Sequence, residues 1–294
     1  MSRLHKRQHA GFGLIELMIS MVLGLLVLGA AIAVFQSNQR TFGANEGQNR
    51  IQEGARAAYE MMSRDIRAAG GNACSRLARP DEEHIYVAEE TSLMTAPISG
   101  GANEFTVISG DDASYQVTAA TTSSVTLAPP SPQPPGWKLS NGFKAGDKLV
   151  LCNATLMYVV TVDGGGVNDA ASTLTFAGTP TPVPIYDPAT APAASVTAAR
   201  FRTARWYLDA GSLYTSRNGV AQAVVPGVTA LNVSFRRLNE ATYTPTPANW
   251  TDVVAVRVNL ALRGQQTTGG DVQVDGSNYI TRTTSNITAI RSRP

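Results

Sequence analysis

The sequence predicts an α+β chain: one long N-terminal helix, its first part crossing a membrane, followed by a β-rich head. Three observations carry that expectation. Residues 12–35, FGLIELMISMVLGLLVLGAAIAVF, hold only Glu16 and Ser20 as clearly polar side chains. An apolar stripe at steps of three and four (Ile51, Ala55, Ala58, Met62, Ile66, Ala69) stops at Gly70-Gly71. Beyond it the chain breaks into short β-branched and aromatic runs separated by turn residues.

Composition removes several function classes first. The chain has 294 residues, with 24 Lys+Arg against 22 Asp+Glu, a formal charge of +2. That balance lacks the basic surplus of a nucleic-acid binder. Hydrophobic residues make up 43%, too many for a disordered chain. Of three histidines, His5 and His9 lie in the first eleven residues, and Cys74 and Cys152 alone cannot supply a four-ligand zinc site.

The N-terminus sets the compartment. Residues 1–11, MSRLHKRQHAG, carry Arg3, Lys6 and Arg7 and no acid. From Leu17 to Phe35 nineteen residues run without a charge. As a helix they span roughly 28 Å, close to the hydrocarbon thickness of a bilayer. The preceding basic residues keep the N-terminus cytoplasmic, so everything after about residue 36 lies outside the cytoplasm. A secretory signal cut after Ala31-Ile32-Ala33 would need a shorter apolar run. A plain signal anchor leaves Glu16 unexplained, since a carboxylate within a membrane helix costs about 2.5–3.5 kcal/mol.

Gly11-Phe12-Gly13-Leu14-Ile15-Glu16 accounts for both oddities, because it resembles the class III signal of type IV prepilins. The resemblance implies cleavage after Gly11 by a membrane prepilin peptidase and methylation of the new amine on Phe12. It also implies that Glu16 pairs with the N-terminal amine of a neighbouring subunit. An acid buried in lipid demands a cation, which an α-amine at a packed helix end supplies. Gly13 stands where that family usually has Thr or Ser. Loss of the leader, 1–11, leaves 21 basic residues against 22 acidic ones.

The helix is expected over 12–70, with its membrane part at about 12–35. Gly43, Gly47 and Gly54 fall on one side of it and each costs about 1 kcal/mol relative to Ala. With Asn38, Asn45 and Asn49 they predict a weak or locally unwound stretch. The alternative is a flat face that admits close packing.

The head, 71–294, is expected to be β-rich throughout, with no further helix. Candidate strands are Glu104–Ile108, Ser114–Ala119, Ser123–Leu127, Lys148–Leu151, Met157–Val162 and Thr173–Phe176. Later ones are Arg205–Leu208, Leu213–Ser216, Leu231–Leu238, Val253–Leu262 and a stretch near Tyr279–Ile290, with a hairpin turn at Asp209-Ala210-Gly211. Proline-rich patches at 129–136 and 180–192 read as surface loops. They either separate two subdomains near 72–178 and 195–294 or interrupt one continuous head. In an oxidising compartment Cys74 and Cys152 are expected to form a disulfide, closing a loop of about 79 residues.

The resemblance continues past the signal, to the PilW type of minor pilin. Asp65-Ile66-Arg67-Ala68-Ala69-Gly70 running into Cys74 looks like that family's helix exit, and Gly146-Asp147-Lys148-Leu149-Val150-Leu151-Cys152 like the strand of its second cysteine. Trp206-Tyr207-Leu208, Val225-Pro226-Gly227-Val228, and Trp250 with Val253 to Val258 fit its C-terminal half; residues 80–145 match nothing. It implies a type IV pilin-like fold and a structural subunit that primes pilus assembly and serves adhesion and motility. The implied partners are other minor pilins, the major pilin, a tip adhesin, the prepilin peptidase and the inner-membrane assembly platform. The implied location is the bacterial inner membrane, single-pass with a periplasmic head, and then the pilus on the cell surface. The J-type pseudopilin of type II secretion shares this plan.

No motif supports catalysis, and neither enzyme activity nor a cofactor is expected. Asp81-Glu82-Glu83-His84 is contiguous and does not converge on one ion. Asp163–Asp169 and Asp271–Asn278 miss the calcium-loop spacing and read as turns. Trp137, Trp206 and Trp250 read as core residues, or as a sugar-stacking surface if the chain is a membrane-tethered carbohydrate-binding protein.

Overall fold

The computed structural model describes residues 13–75, 77–80, 87–176, 195–267 and 279–292. The chain divides into two units, residues 1–51 with 264–281, and residues 52–263 with 282–294. Helix α1, Leu14–Ala68, contributes to both.

Within the first unit every residue from Gly13 to Phe42 is exposed. The helix is long and apolar enough to cross a membrane. It stays helical through Gly43 and Gly47, so the unwinding that the glycines predict does not occur. The flat face does: Gly47 is buried, and a Cβ built on Gly264 would lie 3.5 Å from the Gly47 Cα.

In the second unit α1 buries the expected stripe, Ala55, Ala58, Met62, Ile66 and then Ala69. Gly54 is again a close-packing position: a Cβ there would lie 2.9 Å from Val225 Cγ1. The helix stops because Gly70 adopts φ +68°, and a side chain at that position would strike Ser292 and Pro97.

The strands that follow are β1 (Ile98–Gly100), β2 (Glu104–Ala120), β3 (Ser124–Leu127), β4 (Lys148–Cys152), β5 (Met157–Asn168) and β6 (Thr173–Phe176). They continue as β7 (Thr197–Asp209), β8 (Ser212–Arg217), β9 (Val220–Pro226), β10 (Val228–Arg237), β11 (Val253–Thr267) and β12 (Tyr279–Ala289). A long apolar helix ahead of an antiparallel β-rich head is the type IV pilin-like plan that the resemblance implies.

Pairing makes one nine-stranded sheet and a separate sheet of β10, β11 and β12. Strand β2 pairs with β3, β3 with β6, β6 with β5, β5 with β4, β4 with β7, and β7 again with β2. Six antiparallel strands thus close on themselves. Leu149, Leu151, Tyr158, Val160 and Val162 fill the inside, while Val150, Cys152, Met157 and Val159 face outward beneath Ala78 and Leu93. Beyond the closed part, β2 and β7 run on together and β7 takes β8 as its other neighbour.

Three expectations change, and one open alternative is decided. The candidates Glu104–Ile108 and Ser114–Ala119 are one strand, β2. The head contains α2 (Ala88–Thr95) and a single turn, α3 (Leu139–Gly142), against the expectation of no helix. Residues 163–168 are strand, with the turn following Asn168. The strands of 72–178 and 195–294 do not separate, because β7 lies between β2 and β4. The 129–136 patch is an irregular, mostly exposed loop, while 180–192, Asp81–His84 and Asp271–Asn278 lie outside the described residues.

Candidate functional site

Two places are candidate sites, one in each unit. At the start of α1, Gly13 N–H donates to Glu16 Oε2 at 3.2 Å, and Gly13 O accepts from Glu16 N at 3.0 Å and Leu17 N at 3.3 Å. Gly13 therefore sits as N-cap and Glu16 at the third helical position reaches back to it, the reciprocal half of a capping box. The carboxylate also lies at the positive end of the helix dipole. Gly11 and Phe12 lie outside the described residues.

The second place is the C-terminal end of α1. Asp65 is fully buried, yet it belongs to the apolar stripe, three residues after Met62 and four before Ala69. Its Oδ1 accepts from Arg202 Nη2 at 2.9 Å and its Oδ2 from Trp206 Nε1 at 2.9 Å; Arg217 Nη2 approaches Oδ2 at 3.4 Å. Strand β7 aims both Arg202 and Trp206 at the helix because they are an even number apart. An irregularity between Gly110 and Ser114 in β2 adds Asp111 and Asp112, whose oxygens lie 3.7 Å and 4.0 Å from Arg202 Nη1. Asp112 also pairs with Arg64. One buried carboxylate thus joins α1 to β7 and β8, where the closed strands meet the open part of the sheet. The acid inside the stripe was the sequence signal for it.

Close by, Cys74 and Cys152 are joined by a disulfide with Cα atoms 5.9 Å apart. It ties the segment after α1 to β4. Helix α2 covers the same face: buried Glu90 accepts from Val87 N at 3.1 Å and from Val159 N at 2.7 Å. It thereby satisfies an edge of β5 that β6 does not reach. Glu89 beside it pairs with Lys148, whose ammonium holds the carboxyl below the usual glutamate range. Tyr59 donates to Thr284 O at 2.7 Å, and burial pushes its phenol above the usual tyrosine value.

The three tryptophans form no common surface. Trp206 is fully buried, Trp250 packs edge-on against Phe235, and Trp137 lies against the inside of the closed strands. That removes the sugar-stacking surface. Among the described residues no group of three His, Cys, Asp or Glu side chains converges as a metal site.

Residues 6–32 match the family model described as the Prokaryotic N-terminal methylation motif, a span that includes Gly11, Phe12 and Glu16. No curated protein matches the chain. The chain is similar to the solved structure of a type IV-like pilin from Thermus thermophilus, at 12% identity, over 51% of this chain and 87% of that one, with a TM-score of 0.23. At that score the likeness carries no argument.

Proposed function

We propose that this chain is a minor pilin of the PilW type, a non-enzymatic subunit that primes assembly of a type IV pilus. One observation carries the reading: the methylation motif at 6–32 opens an exposed apolar helix that continues unbroken until it packs on a β-rich head. A leader of eleven residues is cut after Gly11, and the amine of Phe12 is methylated. The helix holds the subunit in the inner membrane, head in the periplasm, until the assembly platform moves it into the fibre. Its partners there are other minor pilins, the major pilin and a tip adhesin. A head of this size, 71–294, suits a subunit of low copy number.

Glu16 supports a place below the extreme tip. Its carboxylate sits in the membrane part of the helix, and a neighbour above it supplies the amine it needs. Mass spectrometry of the mature N-terminus tests the processing step: a start at methylated Phe12 is expected, and an uncut Met1 or a start at Val34 overturns it. Deletion of the gene is expected to abolish surface pili. Normal piliation with a defect in protein secretion would instead identify a J-type pseudopilin. Glu16→Ala is expected to leave cleavage intact while reducing piliation; wild-type piliation removes the argument for a subterminal place.

A further inference from the structure

Two cavities adjoin where α1 ends, and they differ in chemistry. One, of about 250 Å3, has Leu93, Met94, Pro97, Leu238 and Val254 among its walls, with Arg79 and Asp252 on them as well. The other, of about 410 Å3, is lined by Arg64, Arg67, Arg291 and Asp112 among others. Gly70, Asn72 and Ser292 border both, so a single groove has an apolar lobe and a basic lobe. The partition is fixed: Asn72 donates to Ser75 O at 2.9 Å and accepts from Cys74 N at 2.9 Å, and Ser292 Oγ donates to Ala69 O at 2.6 Å.

Among the described residues the basic lobe carries three arginines against one acid. Asp112 already pairs with Arg64, which leaves the guanidinium groups of Arg67 and Arg291 exposed and without a hydrogen-bonding partner among the described residues. They are not consumed in capping the helix, because Ala68 O accepts from Gly71 N and Ala69 O from Ser292 Oγ. At the rim of the apolar lobe, Leu238 is 45% exposed, a large apolar side chain beside a concavity. Asp252 on the far wall is held by Asn249 Nδ2 at 2.8 Å.

We propose that this groove receives an extended segment of another protein chain, in which an apolar side chain enters the smaller lobe and an adjacent carboxylate meets Arg67 and Arg291. A guanidinium presents a planar fork that matches a carboxylate bidentately. An anionic lipid, the other occupant that two arginines could meet, is an outcome of the test. The proposal stands apart from the pilin reading, since it needs only an acidic-apolar segment on whatever chain meets the head.

The test uses the full-length protein in its native membrane, with a photoreactive amino acid in place of Leu238 or Ser75. Irradiation is expected to link one protein through a peptide carrying Asp or Glu next to an apolar residue. Reversing both charges, Arg67→Glu with Arg291→Glu, is expected to lower the yield about tenfold or more. Exchanging the partner's acid for Lys is expected to restore it. Arg205→Glu, away from the groove, serves as the control and is expected to leave the yield unchanged. Retention of the Cys74–Cys152 disulfide reports folding, and Arg67→Gln with Arg291→Gln carries the test if the reversed variant misfolds. Absence of a linked protein, a linked peptide without an acid, a yield indifferent to both changes, or linkage to lipid overturns the proposal.

Discussion

Replacing Asp65 by Asn removes one charge from a sealed site and keeps the shape. The change leaves the Arg202 guanidinium, only 8% exposed, without the charge of its 2.9 Å partner. The new amide nitrogen must also face either Arg202 or the indole N–H of Trp206, donor against donor. Breaking a buried ion pair from one side costs about 3–5 kcal/mol. Asp111 at 3.7 Å and Asp112 at 4.0 Å still answer part of the guanidinium charge, which places the expected loss near the lower end, about 3 kcal/mol. For a unit of this size that lowers the melting midpoint by about 6–12 °C. The assay is urea unfolding of the detergent-solubilised full chain followed by tryptophan fluorescence, which Trp206 reports directly. Arg202→Met added to Asp65→Asn removes the orphaned cation and is expected to recover more than half of the loss. The reasoning fails if Asp65→Asn lies within about 1 kcal/mol of the parent, or if the double variant equals the sum of the singles.

Three further changes have defined outcomes. Gly54→Leu drives a side chain into Val225 Cγ1, 2.9 Å from where its Cβ must sit, and is expected to cost about 1–3 kcal/mol in the same unfolding assay. Replacing Cys74 and Cys152 by Ser opens a loop closed across a sequence separation of 78 and is expected to cost about 4 kcal/mol; equal melts with and without reductant would contradict this. Because Lys148 lowers the folded-state pKa of Glu89, the pair's contribution is present above the unfolded glutamate value of about 4.3 and lost as pH falls through the folded one. Lys148→Met is therefore expected to flatten the acid limb of the stability profile between those values and to leave its slope at neutral pH unchanged.

The helix was legible in the sequence because both of its halves carry period and length: an uncharged run for lipid, then a stripe from Ile51 to Ala69 that packs on protein. Most strands were legible for the same reason, and the Asp209-Ala210-Gly211 turn appears with positive φ at both Ala210 and Gly211. Asn218-Gly219 makes an equivalent turn between β8 and β9, from a dipeptide of the same turn-forming type. Closure of six strands was not legible, because it depends on which edges meet and alternation says only which faces are apolar. Helix α2 stayed hidden since its eight residues bury only Glu90 and Leu93, too few for a stripe. Asp65 is legible as part of a helix exit but not as a site, because its meaning arises from Arg202 and Trp206, more than a hundred residues away.

In the fibre that the proposed function implies, tension gives the disulfide a second meaning. Load entering through α1 reaches the head just before Cys74, and the bond passes it straight to β4, bypassing the stretch of sequence between the two sulfurs. That stretch separates the cysteines by 78 residues and holds roughly 260–280 Å of contour when drawn out. With the bond intact none of it can pay out, even if β2 and β3 let go of their neighbours. The head therefore yields to pulling as a short, stiff link, and reduction converts the same link into a spring with a long hidden reserve.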